Sequence, residues 1–159
     1  MATKKTEDAT GAEIERSIPQ YTDEDLLAIQ SFDDALRLAA DWYGEENLVR
    51  ADATIGNGFQ LLANKDTLID VPMVILQWRF NPGDFGEFVS MMIVAKDGRK
   101  FVVNDGGSGV CQQLALYTNA TGRHGGMLVA KGLTRSDYEY EDDKGEKHPA
   151  STYYLNTSA

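Results

Sequence analysis

Between residues 78 and 140, aromatic and basic side chains are interleaved in a way that could hold a single strand of nucleic acid. Aromatic rings stack on bases, which contributes about 1–3 kcal/mol per base for any base, while lysine and arginine neutralise phosphates. A few exposed rings beside basic groups therefore suffice for a binding groove. The candidate nucleic-acid-binding residues are Trp78, Arg79, Phe80, Phe85, Arg99, Lys100, Arg123, Lys131, Arg135, Tyr138 and Tyr140.

Burial in the core is the competing interpretation for several of these rings, because most aromatic side chains of a small domain pack inside it. It applies to Trp78, which lies in an alternating apolar stretch, and equally to Phe88 and Phe101. Phe85 differs, since it follows Pro82-Gly83-Asp84 in a loop, where burial is less expected. Tyr138 and Tyr140 alternate with acidic residues, which predicts a strand with one aromatic and one acidic face.

A glycine-rich turn from Asn104 to Gly109 precedes a helical stretch and could bind an anion. Glycines let backbone N–H groups approach a phosphate at a helix N-terminus. The turn lacks the Lys-Ser/Thr pair of a P-loop and the glycine spacing of a dinucleotide site. The alternative is a sharp strand-to-helix turn in which Asp105 or Ser108 caps the helix.

No combination of residues in the sequence predicts catalysis or metal binding. The single cysteine, Cys111, excludes an internal disulfide and any cysteine-rich metal site. The two histidines, His124 and His148, lie in loop-like contexts that suggest no activating pair for the thiol. The runs of acidic residues are typical of solvated faces and lack EF-hand spacing. We therefore expect a non-enzymatic protein without a cofactor or a metal.

The net charge of −10 is unevenly distributed along the chain. Residues 1–50 carry five basic and twelve acidic side chains, and residues 136–159 carry two basic and six acidic ones. Residues 65–135 carry eight basic and six acidic side chains. Because binding to phosphates depends on local contacts and not on net charge, a nucleic-acid groove is compatible only with this middle region. The alternative is that acidic ends simply keep the protein soluble.

The N-terminal third divides into a tail and a helical region. Residues 1–20 are too polar to bury much surface, so we expect a flexible acidic tail. Residues 21–48 predict a helical region with helix starts at Thr22 and Ser31 and a stop at Gly44. Its apolar stripe is expected to pack on residues 49–159, the predicted β-barrel domain.

Alternating or continuous apolar runs in residues 49–159 predict strands, and a helix of about three turns lies between the third and the fourth. This order is that of an OB-type barrel, a fold that often holds single-stranded nucleic acid or oligosaccharide. We predict a mainly β (α+β) fold: an OB-like five-stranded barrel with one inserted helix, preceded by an N-terminal helical region. The predicted strands are Val71–Phe80, Phe88–Ala95, Phe101–Val103, Met127–Ala130, Tyr138–Glu141 and Thr152–Leu155.

No feature of the sequence predicts a membrane location. No apolar run reaches the roughly 18 residues of a membrane-spanning helix, and the first residues lack the apolar stretch of a signal peptide. We expect a cytoplasmic protein that does not contact the membrane.

Several stretches together carry a resemblance to a known family: Leu61–Lys65, Trp78–Asn81, Gly86–Ser90, Val103–Val110 and Lys131–Tyr138. They resemble a small protein recurrent in tailed phages of actinobacteria, over the chain from about Thr22 to its end. Function is mostly unassigned in that family, so the resemblance implies a phage origin, the cytoplasm of an infected host and a role in replication or recombination. It implies no site residues.

Two hypotheses about function follow. The first is a single-stranded DNA-binding protein of phage DNA replication or recombination, whose acidic ends occupy the groove or recruit phage or host replication proteins. The alternative is a phage structural or host-interaction protein that uses the barrel as a protein-binding module. A homo-oligomer is compatible with either. Basic residues gathered on one face would favour the first hypothesis, and scattered ones the second.

Overall fold

The computed structural model describes residues 23–40, 58–84 and 86–157. Four parts of the prediction lie outside the described residues: the tail over residues 1–20, the helix start at Thr22, the part of the helical region beyond Ala40, and Phe85. Among the residues that are described, no helix is long and apolar enough to cross a membrane.

Two short helices, α1 (Asp23–Leu27) and α2 (Phe32–Ala40), form the described part of the predicted helical region. The helix start at Ser31 is confirmed, because the Ser31 hydroxyl accepts a hydrogen bond from the backbone N–H of Asp34 at 3.1 Å. The Asp34 carboxylate accepts one in return from the Gln30 N–H at 3.0 Å. The Ser31 hydroxyl thus satisfies one N–H that the first turn of a helix leaves unpaired, and the Asp34 carboxylate binds the backbone of the residue before Ser31.

Seven strands and a third helix make up the rest of the described chain, and the mainly β prediction is confirmed. Five strands form one sheet in the order β1-β4-β3-β2-β5, in which only the β1–β4 pair is parallel. The other two strands, β6 and β7, pair only with each other. The elements are β1 Gln60–Leu61, a 3-10 turn at Lys65–Leu68, β2 Met73–Asn81, β3 Phe88–Ala95, β4 Lys100–Asp105, α3 Ser108–Thr121, β5 Gly125–Val129, β6 Leu133–Glu141 and β7 Lys147–Leu155.

The predicted OB-like barrel is not confirmed, because the five-stranded sheet does not close within the described residues. Its edges are β1 and β5. The chain leaves the sheet after β5: Ile69 forms bridges with Gly132 and Leu133, and the Asp70 N–H donates to the Leu133 carbonyl at 3.3 Å. Strand β6 thus starts beside the 3-10 turn instead of pairing with the sheet.

Both faces of the sheet are covered by apolar side chains. On one face, here called the α3 face, Met73, Ile75 and Met91 pack with α3 and the start of the β6–β7 hairpin. On the opposite face, the α2 face, Val74 and Val94 pack against α1 and α2. Burial on both sides accounts for the nearly continuous apolar sequence of β3, because neither set of side chains meets water.

A β-bulge at Leu76 and Gln77 decides which way the second half of β2 faces. The pairing passes from Ile75 opposite Ile93 to Gln77 opposite Met92, so Leu76 is an extra residue on β2. Strand residues alternate between faces, and one inserted residue reverses that alternation. As a result Trp78, an even-numbered residue, points to the same α3 face as Ile75.

Candidate functional site

The predicted aromatic residues of β2 lie inward. Trp78 is 0% exposed, and its indole N–H donates to the Thr118 hydroxyl at 3.2 Å. Its ring and that of Tyr117 form a T-shaped pair, with ring centres 5.5 Å apart. Phe80 is half-buried against the same core. Trp78 therefore offers no open face for stacking on a base, in agreement with the core interpretation, whereas Phe80 keeps part of its surface exposed.

Two predicted phosphate contacts, Arg99 and Lys100, follow the turn between β3 and β4 and are engaged within the protein. Arg99 Nε lies 2.6 Å from the Asp97 carboxylate. The Lys100 ammonium donates to the carbonyl oxygens of Leu26 and Ile29 at 3.0 and 2.9 Å. Burial lowers the pKa of Lys100. Lys100 thus satisfies carbonyl groups at the end of α1, which a helix end leaves unpaired.

Arg79 and Arg123 lie at the other end of the sheet. The Trp78 N–H donates to the His124 carbonyl at 2.8 Å, which brings the backbone of Arg123 level with Arg79. Arg123 Nη2 reaches the Ala39 carbonyl of α2 at 3.4 Å. Lys100 is level with Val74 through β3, five residues from Arg79, or roughly 16 Å at about 3.3 Å per residue. Lys100 therefore lies at one end of the α2 face, and Arg79 and Arg123 lie at the other.

A row of polar side chains crosses the sheet beside Arg79. The Ser90 hydroxyl donates to the Asn104 side-chain oxygen at 2.6 Å and accepts from the Asn81 amide at 3.2 Å. Arg79 lies opposite Ser90 and Phe88 opposite Asn81, so all five side chains share the α2 face. Sequence reasoning did not single out the row, although Ser90 is the one polar residue within the apolar run of β3.

The remaining predicted residues lie on or beside the β6–β7 hairpin. Residues 134–151 of it are here called the arm, and most of their side chains are exposed. Tyr138 and Tyr140 are 50% and 51% exposed, and Tyr140 stacks on His148 with ring centres 5.3 Å apart. Lys131 is exposed in the turn that precedes the hairpin.

The arm has one aromatic and one acidic face. Tyr140 is opposite His148 and Tyr138 is opposite Ala150, and these pairs share a face because directly opposed residues point the same way. Asp137, Glu139 and Glu141 fall on the other face. The arm carries three basic and six acidic side chains, so its charge is opposite to that of a phosphate-binding surface.

A network of polar contacts fixes the base of the arm to the body. Arg135 forms ion pairs with Asp66 and Asp137, each at 2.8 Å, and these two carboxylates raise the pKa of Arg135. The Tyr153 hydroxyl donates to Asp66 at 2.6 Å. The Lys65 ammonium lies 5.3 Å from the centre of the Tyr153 ring and 3.0 Å from the buried carboxylate of Asp105. Arg135 therefore holds the arm in place.

The tip of the arm brings Asp142, Glu146 and His148 together, with possible ligand atoms all within 4.8 Å. Asp142 accepts hydrogen bonds from the backbone N–H groups of Lys144 and Glu146, each at 2.9 Å, and contacts His148 Nε2 at 2.8 Å. The His148 contact contributes most to lowering the pKa of Asp142. These hydrogen bonds stabilise the tight turn at the tip, which explains why the three side chains lie close together.

The glycine-rich turn before α3 is built around a carboxylate. Gly107 is the residue that precedes the helix, and its N–H donates to Asp105 at 2.7 Å. The alternative of a sharp strand-to-helix turn describes this segment best, but neither Asp105 nor Ser108 caps the helix: Gly107 is the N-cap, without a side-chain capping bond, and Ser108 is the first helical residue. Asp105 is 3% exposed, so it holds negative charge where an incoming anion would have to sit.

Cys111 is half-buried on α3, and its thiol contacts the Asp105 carbonyl at 3.4 Å. Burial, with the nearby Asp105 carboxylate, raises the pKa of the thiol. The protonated form is therefore favoured, which is the opposite of what a nucleophile needs.

Comparisons of the chain with protein-family models, with curated proteins and with solved structures give no match. The resemblance to a phage protein therefore stays a prediction, and the function has to be argued from the geometry.

Proposed function

We propose that the protein is a non-catalytic binding module that presents its arm to another protein. The observation that carries this proposal is the aromatic face of the arm, where Tyr138, Tyr140 and His148 are held side by side on a ribbon whose base is fixed. Exposed aromatic side chains are enriched in protein interfaces because they bury a large area and lose little conformational freedom on binding.

The distribution of basic side chains supports a protein partner over nucleic acid. Lys100 and Arg135 form contacts that hold elements of the protein together, and Arg99 is paired with Asp97. Arg79 and Tyr140 lie on different parts of the molecule, one on the sheet and one on the arm. Scattered basic residues beside an acidic arm give a nucleic acid few phosphate contacts.

Selection from a displayed random-peptide library against the immobilised protein tests this proposal. We expect the enriched peptides to lose binding to the double variant Tyr138→Ser/Tyr140→Ser and to retain binding to Leu116→Ser. Leu116 is 69% exposed on α3, so its substitution removes an exposed apolar side chain elsewhere on the surface. Enriched peptides that bind the double variant as well as the unchanged protein would contradict the proposal.

Single-stranded DNA binding is the second candidate, and the polar row on the α2 face favours it. Arg79 can contact a phosphate, the Phe88 ring is half-buried at the same sheet end, and the amides of Asn81 and Asn104 can bond to bases. The likeness to an OB fold supports this candidate only through the order of the elements, which is three strands, a helix and further strands.

Fluorescence anisotropy with a labelled oligothymidine at low salt tests the second candidate. We expect binding in roughly the micromolar range that weakens with salt and is lost in Arg79→Glu. Arg99→Glu serves as the matched control, because it reverses a charge at the opposite end of the sheet. Failure to bind at high protein concentration would rule this candidate out.

A further inference from the structure

We infer that the outer edge of β6 in the arm binds an extended strand of a partner protein that carries lysine or arginine at every second position. This inference rests on the proposed function of the arm. Its basis is the direction of the backbone groups along the hairpin, the partial obstruction of the opposite edge, and the pattern of charges beside the outer edge of β6.

The pairing within the hairpin shows which residues of β6 point their backbone outward. The Asp142 N–H donates to the Glu146 carbonyl, and the Asn156 N–H donates to the Gly132 carbonyl. These are even-numbered residues at the two ends of β6, and hydrogen-bonded pairs alternate with non-bonded pairs along antiparallel strands. The odd-numbered residues of β6 therefore direct their N–H and C=O groups away from β7.

Two further contacts agree with this assignment. Pro149 has no N–H and lies opposite Glu139, which places this pair among the non-bonded ones. At the start of β6, the Leu133 carbonyl points outward and accepts the Asp70 N–H. Beyond that bond, the outward groups of β6 are those of Arg135, Asp137, Glu139 and Glu141.

The outer edge of β7 is obstructed at its C-terminal end and interrupted at Pro149. The Gln113 side chain of α3 donates to the Leu155 carbonyl at 2.9 Å and accepts from the Leu155 N–H at 2.7 Å. Gly109 of α3 packs directly against the Tyr153 carbonyl. Pro149 supplies no donor in the middle of this edge. An incoming strand would therefore find the groups of Leu155 and Tyr153 obstructed and one donor missing at Pro149, which leaves it fewer partners than the outer edge of β6 offers.

The outer edge of β6 is open from Arg135 to Glu141, since none of its outward backbone groups has a hydrogen bond in the part of the chain that the structure describes. A two-stranded ribbon is only marginally stable alone, and an added strand would pair these groups. Strand addition to an exposed edge is a common mode of peptide recognition.

The charges beside the edge specify the partner. A strand that pairs with β6 sets its side chains opposite Asp137 and Glu139 on one face and opposite Tyr138 on the other. Opposite charges facing each other across strands are stabilising and like charges are destabilising. A second copy adding through the same edge would place acidic side chains against acidic ones. The matching strand therefore has basic residues facing the acids and apolar or β-branched residues facing the tyrosines.

Two dye-labelled nine-residue peptides test the inference, one alternating lysine with valine and one alternating glutamate with valine. We expect the lysine peptide to bind the whole protein at low salt, and the glutamate peptide not to bind, as measured by fluorescence anisotropy. Absence of binding by the lysine peptide at millimolar concentration would overturn the inference.

The decisive variants are Glu139→Gln and Glu139→Pro. Both remove the same charge, but only proline also removes an outward N–H, and it leaves the bonds within the hairpin intact. We expect Glu139→Gln to lower the affinity for the lysine peptide about threefold. Glu139→Pro should lower it about tenfold or more. Equal affinities for the two variants would show that charge alone attracts the peptide and would overturn the inference.

Lys147→Pro provides the matched control, because it removes an outward N–H from the opposite edge of the same hairpin. We expect this variant to bind the lysine peptide at least as tightly as the unchanged protein. If the library peptides depend on Tyr138 and Tyr140 while Glu139→Pro binds as well as Glu139→Gln, the arm binds proteins by its aromatic face alone. If the library peptides are indifferent to the tyrosines, the proposed function itself fails.

Discussion

The Tyr153 hydroxyl donates a 2.6 Å hydrogen bond to Asp66 and thereby joins strand β7 to the 3-10 turn at Lys65–Leu68. The Asp66 carboxylate holds the phenol proton, and it raises the pKa of Tyr153 above its ordinary value of about 10. This contact fixes the base of the arm, so its loss should be visible both in stability and in the pH dependence of stability.

Replacing Tyr153 by phenylalanine should lower the free energy of unfolding by about 1 kcal/mol at pH 8, because one hydrogen bond to a carboxylate is lost. The folded state holds the phenol proton more tightly than the unfolded state does. The contribution is therefore complete below pH 10 and is lost as the pH rises through the higher folded pKa.

Urea denaturation of both proteins at pH 8 and pH 11 measures this effect. The difference between them should shrink at pH 11, whereas Tyr138→Phe, at an exposed position, should match the unchanged protein at both values. A difference that is the same at pH 11 as at pH 8 would contradict the assignment of the hydrogen bond.

Replacing Lys65 by methionine should destabilise the protein by about 2 kcal/mol, since the buried Asp105 side chain would lose its ion-pair partner. This lies between the ~1 kcal/mol or less of an exposed pair and the ~3–5 kcal/mol of a fully buried one. The matched control is Arg99→Met, which breaks an exposed pair with Asp97 and should cost under about 0.5 kcal/mol. Equal losses in the two variants, measured by urea denaturation, would contradict the prediction.

Replacing Gly109 by alanine should destabilise the protein by about 2 kcal/mol, although alanine is normally favoured within a helix. A Cβ there would lie 2.8 Å from the Tyr154 ring and closer still to the Tyr153 carbonyl. In the control Gly106→Ala, the nearest atom is Phe88 Cβ at 3.7 Å, an ordinary contact. Thermal melting should therefore separate the two variants, and a Gly109→Ala protein as stable as Gly106→Ala would show that α3 packs less tightly on β7.

Replacing Lys100 by methionine should loosen α1, because the carbonyl groups of Leu26 and Ile29 lose a donor. Relative to the unchanged protein, we expect hydrogen exchange to become faster in α1 but not in α3. The free energy of unfolding should fall by about 1–3 kcal/mol. Lys131→Met, at an exposed side chain, should change neither quantity. Unchanged exchange in α1 would indicate that Lys100 is free to serve another role, such as a phosphate contact.

Local patterns in the sequence predicted many of the elements correctly, because strand alternation and helix starts depend on neighbouring residues. The apolar run from Phe88 to Ala95 forms the predicted strand, Ser31 begins a helix, and Tyr138 alternates with acidic residues on a hairpin. The uneven distribution of charge likewise identified the acidic C-terminal region to which the arm belongs.

Only the tertiary structure decided which of these elements pair and which side chains remain accessible. Strand order cannot show whether a sheet closes, since that depends on contacts between distant residues such as Asp70 and Leu133. The bulge at Leu76 directs the Trp78 side chain into the core. The packing of α1 on the sheet places the Leu26 carbonyl where Lys100 donates to it. The sequence by itself determined the local elements and their charges, because these depend on neighbouring residues, while contacts between distant residues decided that the β6–β7 hairpin stands apart from the five-stranded sheet.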